Sequence, residues 1–349
     1  MGDAATKNTT RLIALDYLRG LAALGIVFYH YTSWSFKPYD SSTVMGRIGI
    51  YGVSVFYVLS GITLYHVYNR FEGKQSVVAF FTKRVFRIFP LLWLSILLNI
   101  FWIGGSYSAK ILWLNFSGLF GFLSPSSYIS VGGWSIGNEL FFYSIFPFVI
   151  YAGQKRKWII GTFFILTAIL AIYFSFFELD SAKKLEEQWS TYINPLNQLV
   201  FFFGGVYAAK LYGMAKNTSV GPVLLILSAL VFIVYPSYGD LISLVSNWDR
   251  LVFSLVTFLF TVSMLFFRFS GKGFFQQLFS KLGHVSYSIY LLHGVIFWGL
   301  DKYVNRVEYP MLFLVFCFCT TIVVSVVSYE LIEKRGINMG KSLLKKMYS

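Results

Sequence analysis

The chain has 349 residues, of which 56% are apolar and only 13% are charged, with a formal net charge of +14. Soluble globular proteins carry roughly 25% charged residues, so this composition excludes that class. Apolar runs recur along the whole length, and about 20 such residues cross a bilayer core ~30 Å thick. The composition therefore predicts an all-α polytopic membrane protein.

Ten apolar segments are predicted to cross the membrane. They form a single transmembrane domain over 1–349, with a core over 12–335 and no soluble domain, because no long polar stretch lies between them. The predicted spans are approximately 12–35, 45–68, 88–104, 134–152, 158–177, 195–213, 220–236, 250–267, 284–300 and 309–332.

The distribution of basic residues predicts the orientation. If the N-terminus lies in the cytoplasm, most of the 29 Lys and Arg residues fall at the inner ends of the spans. This is the positive-inside pattern, so both termini are predicted to be cytoplasmic, and the net charge does not indicate a nucleic acid partner. The two cysteines and four histidines show no metal-ligand spacing, so neither a metal nor a permanently bound cofactor is expected.

The first predicted span carries two ionisable residues, Arg19 and His30, in the stretch "LRGLAALGIVFYHY". Eleven residues make three helical turns plus about 20°, so both side chains share one face, ~16 Å apart along the axis. Asp16 can pair with Arg19, and the small residues Gly20 and Ala23 leave room for a narrow ligand or a close helix. Ionisable groups inside a membrane are usually functional. The alternative is an interfacial ion pair and a histidine that only bonds a neighbouring helix.

The stretch "KRVFRIFP" places a basic cluster at the cytoplasmic side of the third predicted span. The guanidinium forks of Arg84 and Arg87 suit phosphate oxygens, although such clusters also serve as topology anchors. Beyond the same span, the aromatic segment 105–133 is broken by Gly, Ser and Pro. We expect it to dip into the outer leaflet or to cover a cavity.

The stretch "GGWSIGNELFFYSIFP" begins the fourth predicted span with several polar residues. Ser135 and Glu139 share a helix face, which Asn138 and Tyr143 adjoin. Glu139 could orient a histidine, bind a substrate hydroxyl or pair with a cation. The alternative is a hydrated carboxylate near the outer interface.

A third polar pattern lies in "HVSYSIYLLHG", within the ninth predicted span. Ser286, Tyr290 and His293 follow i, i+4, i+7 and form a polar stripe, which must face protein or a cavity inside lipid. A structural hydrogen-bond network and a substrate-lining role explain this stripe equally well.

Together these stretches resemble acyltransferase family 3, a family of integral-membrane O-acyltransferases. In chain order, the matching residues are Arg19 and His30; Phe56, Tyr57, Leu59, Ser60 and Gly61; Arg84, Arg87, Ile88 and Pro90; Trp134, Ser135, Glu139, Phe142, Tyr143 and Pro147; and Ser286, Tyr287, Ser288, Tyr290, Leu291 and His293. The chain departs from the family pattern at Ile62, Ile136 and Arg335, where Phe, Leu and Pro are usual.

The resemblance implies transfer of an acyl group, often acetyl, from cytoplasmic acyl-CoA to a hydroxyl of a glycan, lipid-linked saccharide or small molecule. His30 would be the general base. Arg19, Arg84 and Arg87 would bind the donor, with the pantetheine arm running past Gly20 and Ala23. Glu139, Tyr290 or His293 would orient His30 or stabilise the oxyanion, and an acyl-histidine intermediate is the alternative to direct transfer. The residues expected to bind substrate are Ser135, Asn138, Tyr143, Ser286, Tyr290 and His293.

Two other classes of function explain parts of the sequence. A transporter or flippase of a lipid-linked intermediate would also need spans with a polar path, but no inverted repeat is visible. A structural envelope subunit would leave His30, Glu139 and the 286–293 stripe without a role. The expected partners are acyl-CoA, a saccharide acceptor and membrane lipid, and the expected location is a bacterial inner membrane.

Overall fold

The computed structural model describes residues 13–213, 220–267 and 273–348. All regular elements in these ranges are helical, as predicted. The α-helices are α1 (Ile13–Ser35), α2 (Val44–Val67), α3 (Gly73–Phe101), α4 (Ala109–Ser117), α5 (Phe120–Leu123), α6 (Gly133–Lys155), α7 (Ile159–Tyr173), α8 (Trp189–Tyr192), α9 (Pro195–Tyr212), α10 (Val220–Val234), α11 (Asn247–Ser263), α12 (Phe274–Leu300), α13 (Pro310–Ser328) and α14 (Lys334–Tyr348). Short π-helical turns at Phe174–Glu178 and Tyr329–Glu333 extend α7 and α13.

Seven helical segments in the described ranges are long and apolar enough to cross a membrane. They are Ile13–Ser35, Val44–Val67, Gly73–Phe101, Gly133–Lys155, Ile159–Glu178, Asn247–Phe266 and Pro310–Tyr348. The other three predicted spans are helical as α9, α10 and α12, but these helices are not among the seven. The seven establish a membrane protein, whereas the count of ten and the orientation of the termini stay predictions.

Helix α3 begins at Gly73, well before the predicted start of the third span at 88, so the basic stretch "KRVFRIFP" is part of the helix. Pro90 lies in the helix interior, where it cannot donate a hydrogen bond to the carbonyl of Phe86. Gly336 of α14 packs on that carbonyl so closely that a Cβ would collide with it. The C-terminal helix thus covers the weakened point, and Arg84 and Arg87 stand on a continuous helix.

Helix α1 lies between α2 and α12 and packs most extensively on α12. The contact between α1 and α12 depends on glycines, since a Cβ on Gly283 would meet the backbone of Asp16 and one on Gly20 would lie 2.8 Å from Leu282 Cβ. Gly61 and Gly205 bring α2 and α9 together in the same way. Small residues let membrane helices approach closely, and this packing fixes the positions of α1, α2 and α12.

The aromatic segment 105–133 folds into α4, α5 and a loop that leads into α6. Asn115 holds it together, because its amide donates to Ser127 O at 2.7 Å and its Oδ1 accepts from Ile129 N at 3.0 Å. The end of this loop packs on α12, where Val131 contacts Gly294. The segment therefore covers the middle of α12, which carries the polar stripe.

Candidate functional site

A cavity opens between α1, α2, α3, α6 and α12 and holds about 770 Å³ of empty space, including its open mouth. Its lining brings together residues from every motif that the sequence singled out. The lining residues are Arg19, Val53, Phe56, Tyr57, Ser60, Thr63, Leu64, Arg84, Arg87, Ile88, Ser135, Ile136, Glu139, Tyr143, Ser286, Tyr287 and Tyr290.

Three arginines line this cavity, namely Arg19, Arg84 and Arg87. Arg19 is fixed on α2, because its Nη2 donates to Thr63 Oγ1 at 2.7 Å, and its Nη1 lies 3.5 Å from Asp16 Oδ1. Arg84 Nε is buried and has no hydrogen-bond partner in the described structure. The ion pairs found among the described residues include neither Arg84 nor Arg87. Neither group thus forms a direct ion pair, although Tyr68 is a hydrogen-bond partner of Arg84 and Glu333 interacts electrostatically with Arg87.

Glu139 is the one carboxylate among the described residues that line the cavity. Its Oε2 accepts a hydrogen bond of 2.8 Å from the Tyr143 hydroxyl, which in turn lies 2.9 Å from Ser60 Oγ. Since Tyr143 donates to Glu139, Ser60 must donate to Tyr143. Three guanidinium groups and one carboxylate line the cavity, while Asp16 pairs with Arg19 and the buried Glu333 interacts electrostatically with Arg87 from outside the lining.

Tyr290 contributes to one end of the cavity. Its ring lies 5.7 Å from that of Phe56, and its hydroxyl is 2.9 Å from Ser135 Oγ and 3.2 Å from Gly132 O. Gly132 has a φ of 75°, a left-handed conformation that aims its carbonyl at these two hydroxyls. Tyr290 is therefore held rigidly between α2 and the start of α6.

Beyond Tyr290, two histidines form a hydrogen-bonded pair. His30 Nδ1 lies 2.9 Å from His293 Nε2, and His293 Nδ1 lies 2.6 Å from Tyr290 O. A carbonyl only accepts, so His293 carries its proton on Nδ1 and accepts through Nε2 when neutral. His30 must then donate from Nδ1, which leaves the lone pair on its Nε2. This network assigns the tautomers of both rings.

Trp34 packs against both histidines and holds the pair in place. Its ring is nearly parallel to that of His30 at 4.8 Å and to that of His293 at 6.0 Å. Both ring nitrogens of His293 are hydrogen-bonded, and the Tyr31 hydroxyl donates to its backbone carbonyl at 2.9 Å, which also fixes α12 at this residue. The two rings therefore have little freedom to turn.

Comparison with known proteins identifies the family of the chain. The family described as "Acyltransferase domain" matches residues 12–330, which is most of the chain and every lining residue of the cavity. The chain belongs to this acyltransferase family. The family is membrane-integral, in agreement with the seven apolar helices.

Two relatives match the acyltransferase along most of their length. The first is named "Putative acetyltransferase ORF330", from Acidianus two-tailed virus, with 26% identity over 285 residues, 79% of this chain and 80% of the relative. The second is named "Exopolysaccharide production protein ExoZ", from Rhizobium meliloti (strain 1021), with 27% identity over 261 residues, 70% of this chain and 76% of the relative. No solved structure gives a significant match.

Most of the site residues predicted for the acyltransferase line the arginine-lined cavity, but three of them do not. His30 and His293 form the pair beyond Tyr290. Asn138 is fully buried behind the cavity wall, where its amide donates to Tyr57 Oη at 3.2 Å and Ile193 O at 3.1 Å. Its position fits a structural role in joining α6 to α2 and to the end of α8.

The passage expected for pantetheine beside Gly20 and Ala23 is closed in the acyltransferase. Gly20 packs on Leu282, and Ala23 is fully buried in a cluster with Val285 and Ile289 of α12. The small residues of α1 thus accommodate a close helix, the second of the two possibilities that the sequence left open. The open space lies instead along α2, α6 and the neighbouring face of α12.

The sequence analysis assigned no site role to two residues that contribute to the acyltransferase site. Thr63 anchors Arg19, and Tyr287 lines the cavity while its hydroxyl donates to Ile88 O at 2.9 Å. Thr63 stands one helical turn after Ser60, so the period of α2 could have placed it on the same face. In the described ranges, no group of three or more His, Cys, Asp and Glu residues gathers to hold a metal ion.

Proposed function

We propose that this acyltransferase moves an acyl group, acetyl in the simplest case, from acyl-CoA to a hydroxyl of a saccharide. The observation that carries the proposal is that Tyr290 lines the arginine-lined cavity while its backbone carbonyl bonds His293 of the histidine pair. Arg19 and His30 are eleven residues apart on α1, ~16 Å along its axis. A long, flexible donor with phosphates at one end and a thioester at the other fits such a distance.

The donor would bind through its phosphates to Arg84 and Arg87. Both guanidinium groups line the cavity and form no direct ion pair among the described residues, so a phosphate would compete only with the longer-range attraction of Glu139 and Glu333. Planar guanidinium groups bind phosphate oxygens through paired hydrogen bonds, which makes them better suited to this task than lysines. Arg19, fixed by Thr63, would bind farther along the donor.

The reaction would take place between Tyr290 and the histidine pair. The acceptor hydroxyl attacks the thioester carbonyl while His30 Nε2 takes its proton, so that a C–O bond forms as the C–S bond breaks. The CoA thiolate leaves and is protonated in turn. His293 would keep His30 in the tautomer that can accept this proton. The Tyr290 hydroxyl, which donates to Gly132 O in the structure, would turn its proton to the developing oxyanion.

The saccharide acceptor is proposed from the relatives, one of which is named for exopolysaccharide production. The aromatic side chains beside His30 support the proposal, because sugar rings pack well on such faces. Tyr29 lies 5.1 Å from His30, and Trp34 contacts both histidines and Trp298. The acceptor would approach on this side, with the protein in a bacterial inner membrane and both termini in the cytoplasm.

The decisive experiment uses the purified protein in detergent with radiolabelled acetyl-CoA. The proposal requires release of free CoA, by hydrolysis or by transfer to a saccharide in the assay. Arg84→Ala/Arg87→Ala is the matched variant, since it should retain the fold but lose activity at limiting donor. A flippase of a lipid-linked intermediate would consume no acetyl-CoA, so the absence of both hydrolysis and transfer would reject the proposal.

A further inference from the structure

A second cavity lies at the end of the bundle where α2, α6 and α9 terminate. It holds about 1310 Å³ of empty space, including its open mouth. The residues that line it are Ile62, Tyr65, His66, Asn69, Ile150, Gly153, Gln154, Lys157, Ile160, Ala209, Lys210, Tyr212, Gly213 and Leu265. None of them belongs to the arginine-lined cavity.

Helix α2 separates the two cavities. It presents Ser60 and Thr63 to the first cavity, and Ile62 and His66 to the second, on another face of the same helix. Gly61, which lies between these residues, packs directly on the backbone of α9, so the two helices are in close contact there. A ligand of the second cavity would therefore not reach the residues assigned to acyl transfer.

The mouth of the second cavity is cationic. Lys157 is exposed in the turn between α6 and α7, and Lys210 of α9 donates a hydrogen bond to its carbonyl, which holds the two ammonium-bearing chains side by side. No carboxylate is found among the described lining residues. His66 Nε2 is buried at the same cavity and has no hydrogen-bond partner in the described structure. These groups form a site for an anion with several oxygen atoms.

The inner wall of the second cavity is apolar. Ile62, Ile160 and Leu265 form its floor, and the half-buried rings of Tyr65 and Tyr212 present apolar surface beside them. An inorganic phosphate or the phosphates of a nucleotide would gain nothing from this wall, whereas the glycerol and acyl carbons of a lipid would bury apolar surface there. The combination of a cationic mouth and an apolar wall thus distinguishes a phospholipid from a soluble phosphate.

We propose that the second cavity binds the headgroup of an anionic phospholipid, with the phosphate at Lys157, Lys210 and His66 and the first acyl carbons against the apolar wall. Basic pockets between membrane helices bind anionic headgroups in this way. The site lies outside the acyl-transfer machinery. Its occupant would join α2, α6, α7 and α9, so it would stabilise their packing.

The test titrates the purified full-length protein in detergent with phosphatidylglycerol and, separately, with phosphatidylcholine, and measures bound lipid by native mass spectrometry. Lys157→Met/Lys210→Met should lower the affinity for phosphatidylglycerol by roughly 20-fold, at a few-fold for each lysine near a phosphate. His66→Leu should weaken the same binding, because it removes the side-chain nitrogen that faces the cavity. Lys341→Met, at an exposed lysine of α14, is the control and should bind as the wild type does.

Size-exclusion elution and thermal unfolding without lipid show whether each variant is folded. Lipid binding is measured without acyl transfer, so its outcome is independent of the proposed function. Equal binding of the two lipids, or unchanged affinity in the double lysine variant, would overturn the proposal. A third titration adds inorganic phosphate to the phosphatidylglycerol-bound protein and tests whether a soluble phosphate occupies the same site. Displacement of phosphatidylglycerol by phosphate alone would reject the lipid assignment.

Discussion

His30 and His293 are joined by a hydrogen bond of 2.9 Å between Nδ1 of the first ring and Nε2 of the second. His293 also bonds the carbonyl of Tyr290 at 2.6 Å. Because a carbonyl only accepts, each neutral ring carries its proton on Nδ1. The pair brings α1 and α12 together at the point where the cavity ends. The pair thereby leaves the lone pair on His30 Nε2 available to accept a proton.

The first prediction concerns His293 as a positioning residue. In His293→Leu nothing accepts the Nδ1 proton of His30, so we expect kcat to fall by roughly 10- to 100-fold with KM for the donor unchanged. In His293→Gln the side-chain oxygen can accept that proton, so most of kcat should return. Steady-state kinetics of both variants is the measurement. Equal losses in the two variants would indicate a packing role only.

The second prediction concerns the arginines of α3. Arg84→Ala and Arg87→Ala should each weaken CoA binding, by roughly tenfold for a lost charge-assisted phosphate contact. Thermal-shift titration with CoA and with dephospho-CoA is the measurement. Arg70→Ala is the matched control, because Arg70 lies near the start of the same helix, is exposed and pairs with Glu72 at 3.0 Å. Unchanged affinity in both cavity variants would contradict CoA binding by Arg84 and Arg87 and would leave them as topology anchors only.

The third prediction concerns the anchoring of Arg19. Arg19→Ala should reduce donor binding and rate together, since both the charge and the contact with α2 are lost. Arg19→Lys should have a milder effect if only the charge is needed. Thr63→Val removes the 2.7 Å hydrogen bond but keeps the charge. We expect it to weaken binding only a few-fold, and a loss as large as that of Arg19→Ala would show that the orientation of the guanidinium group matters more than its charge.

Helical periodicity predicts where the helices lie and which of their faces are polar. It does not predict which other segment packs against each polar face. Ser135, Glu139, Tyr143 and Tyr290 all line the cavity, because residues one turn apart share a face and polar groups avoid lipid. Asn138 lies next to Glu139 in the sequence, yet it bonds Tyr57 behind the wall. Which residue meets a ligand and which meets a helix depends on the packing of distant segments.

The same limit explains why α3 begins before the predicted third span. The span is predicted to start at 88, but α3 starts at Gly73, and α14 packs on it at the carbonyl that Pro90 leaves free. That support comes from residues more than 200 positions away. Gly20 likewise suggested room for a ligand, and only the approach of Leu282 shows that a helix occupies the space.

The fourth prediction is the topology, with both termini in the cytoplasm as the basic residues indicate. In a variant with Cys317→Ala and Cys319→Ser, a single cysteine is introduced at Lys183 or at Lys345. A membrane-impermeant maleimide on intact cells should label position 183 but not position 345, which should react only after lysis. Labelling of position 345 in intact cells would show that the orientation or the number of spans is wrong.

The central claim is that His30 is the general base, and one comparison tests it most directly. Transfer from acetyl-CoA and binding of CoA are measured for purified His30→Ala, with Phe28→Ala as the control because Phe28 is an exposed residue on the same helix. Removal of a general base costs roughly 10²- to 10⁴-fold in rate but acts in the transition state. We predict that His30→Ala loses transfer to this extent while CoA binding stays within about twofold of wild type. A correctly inserted His30→Ala protein that retains more than a small fraction of wild-type transfer would contradict the account.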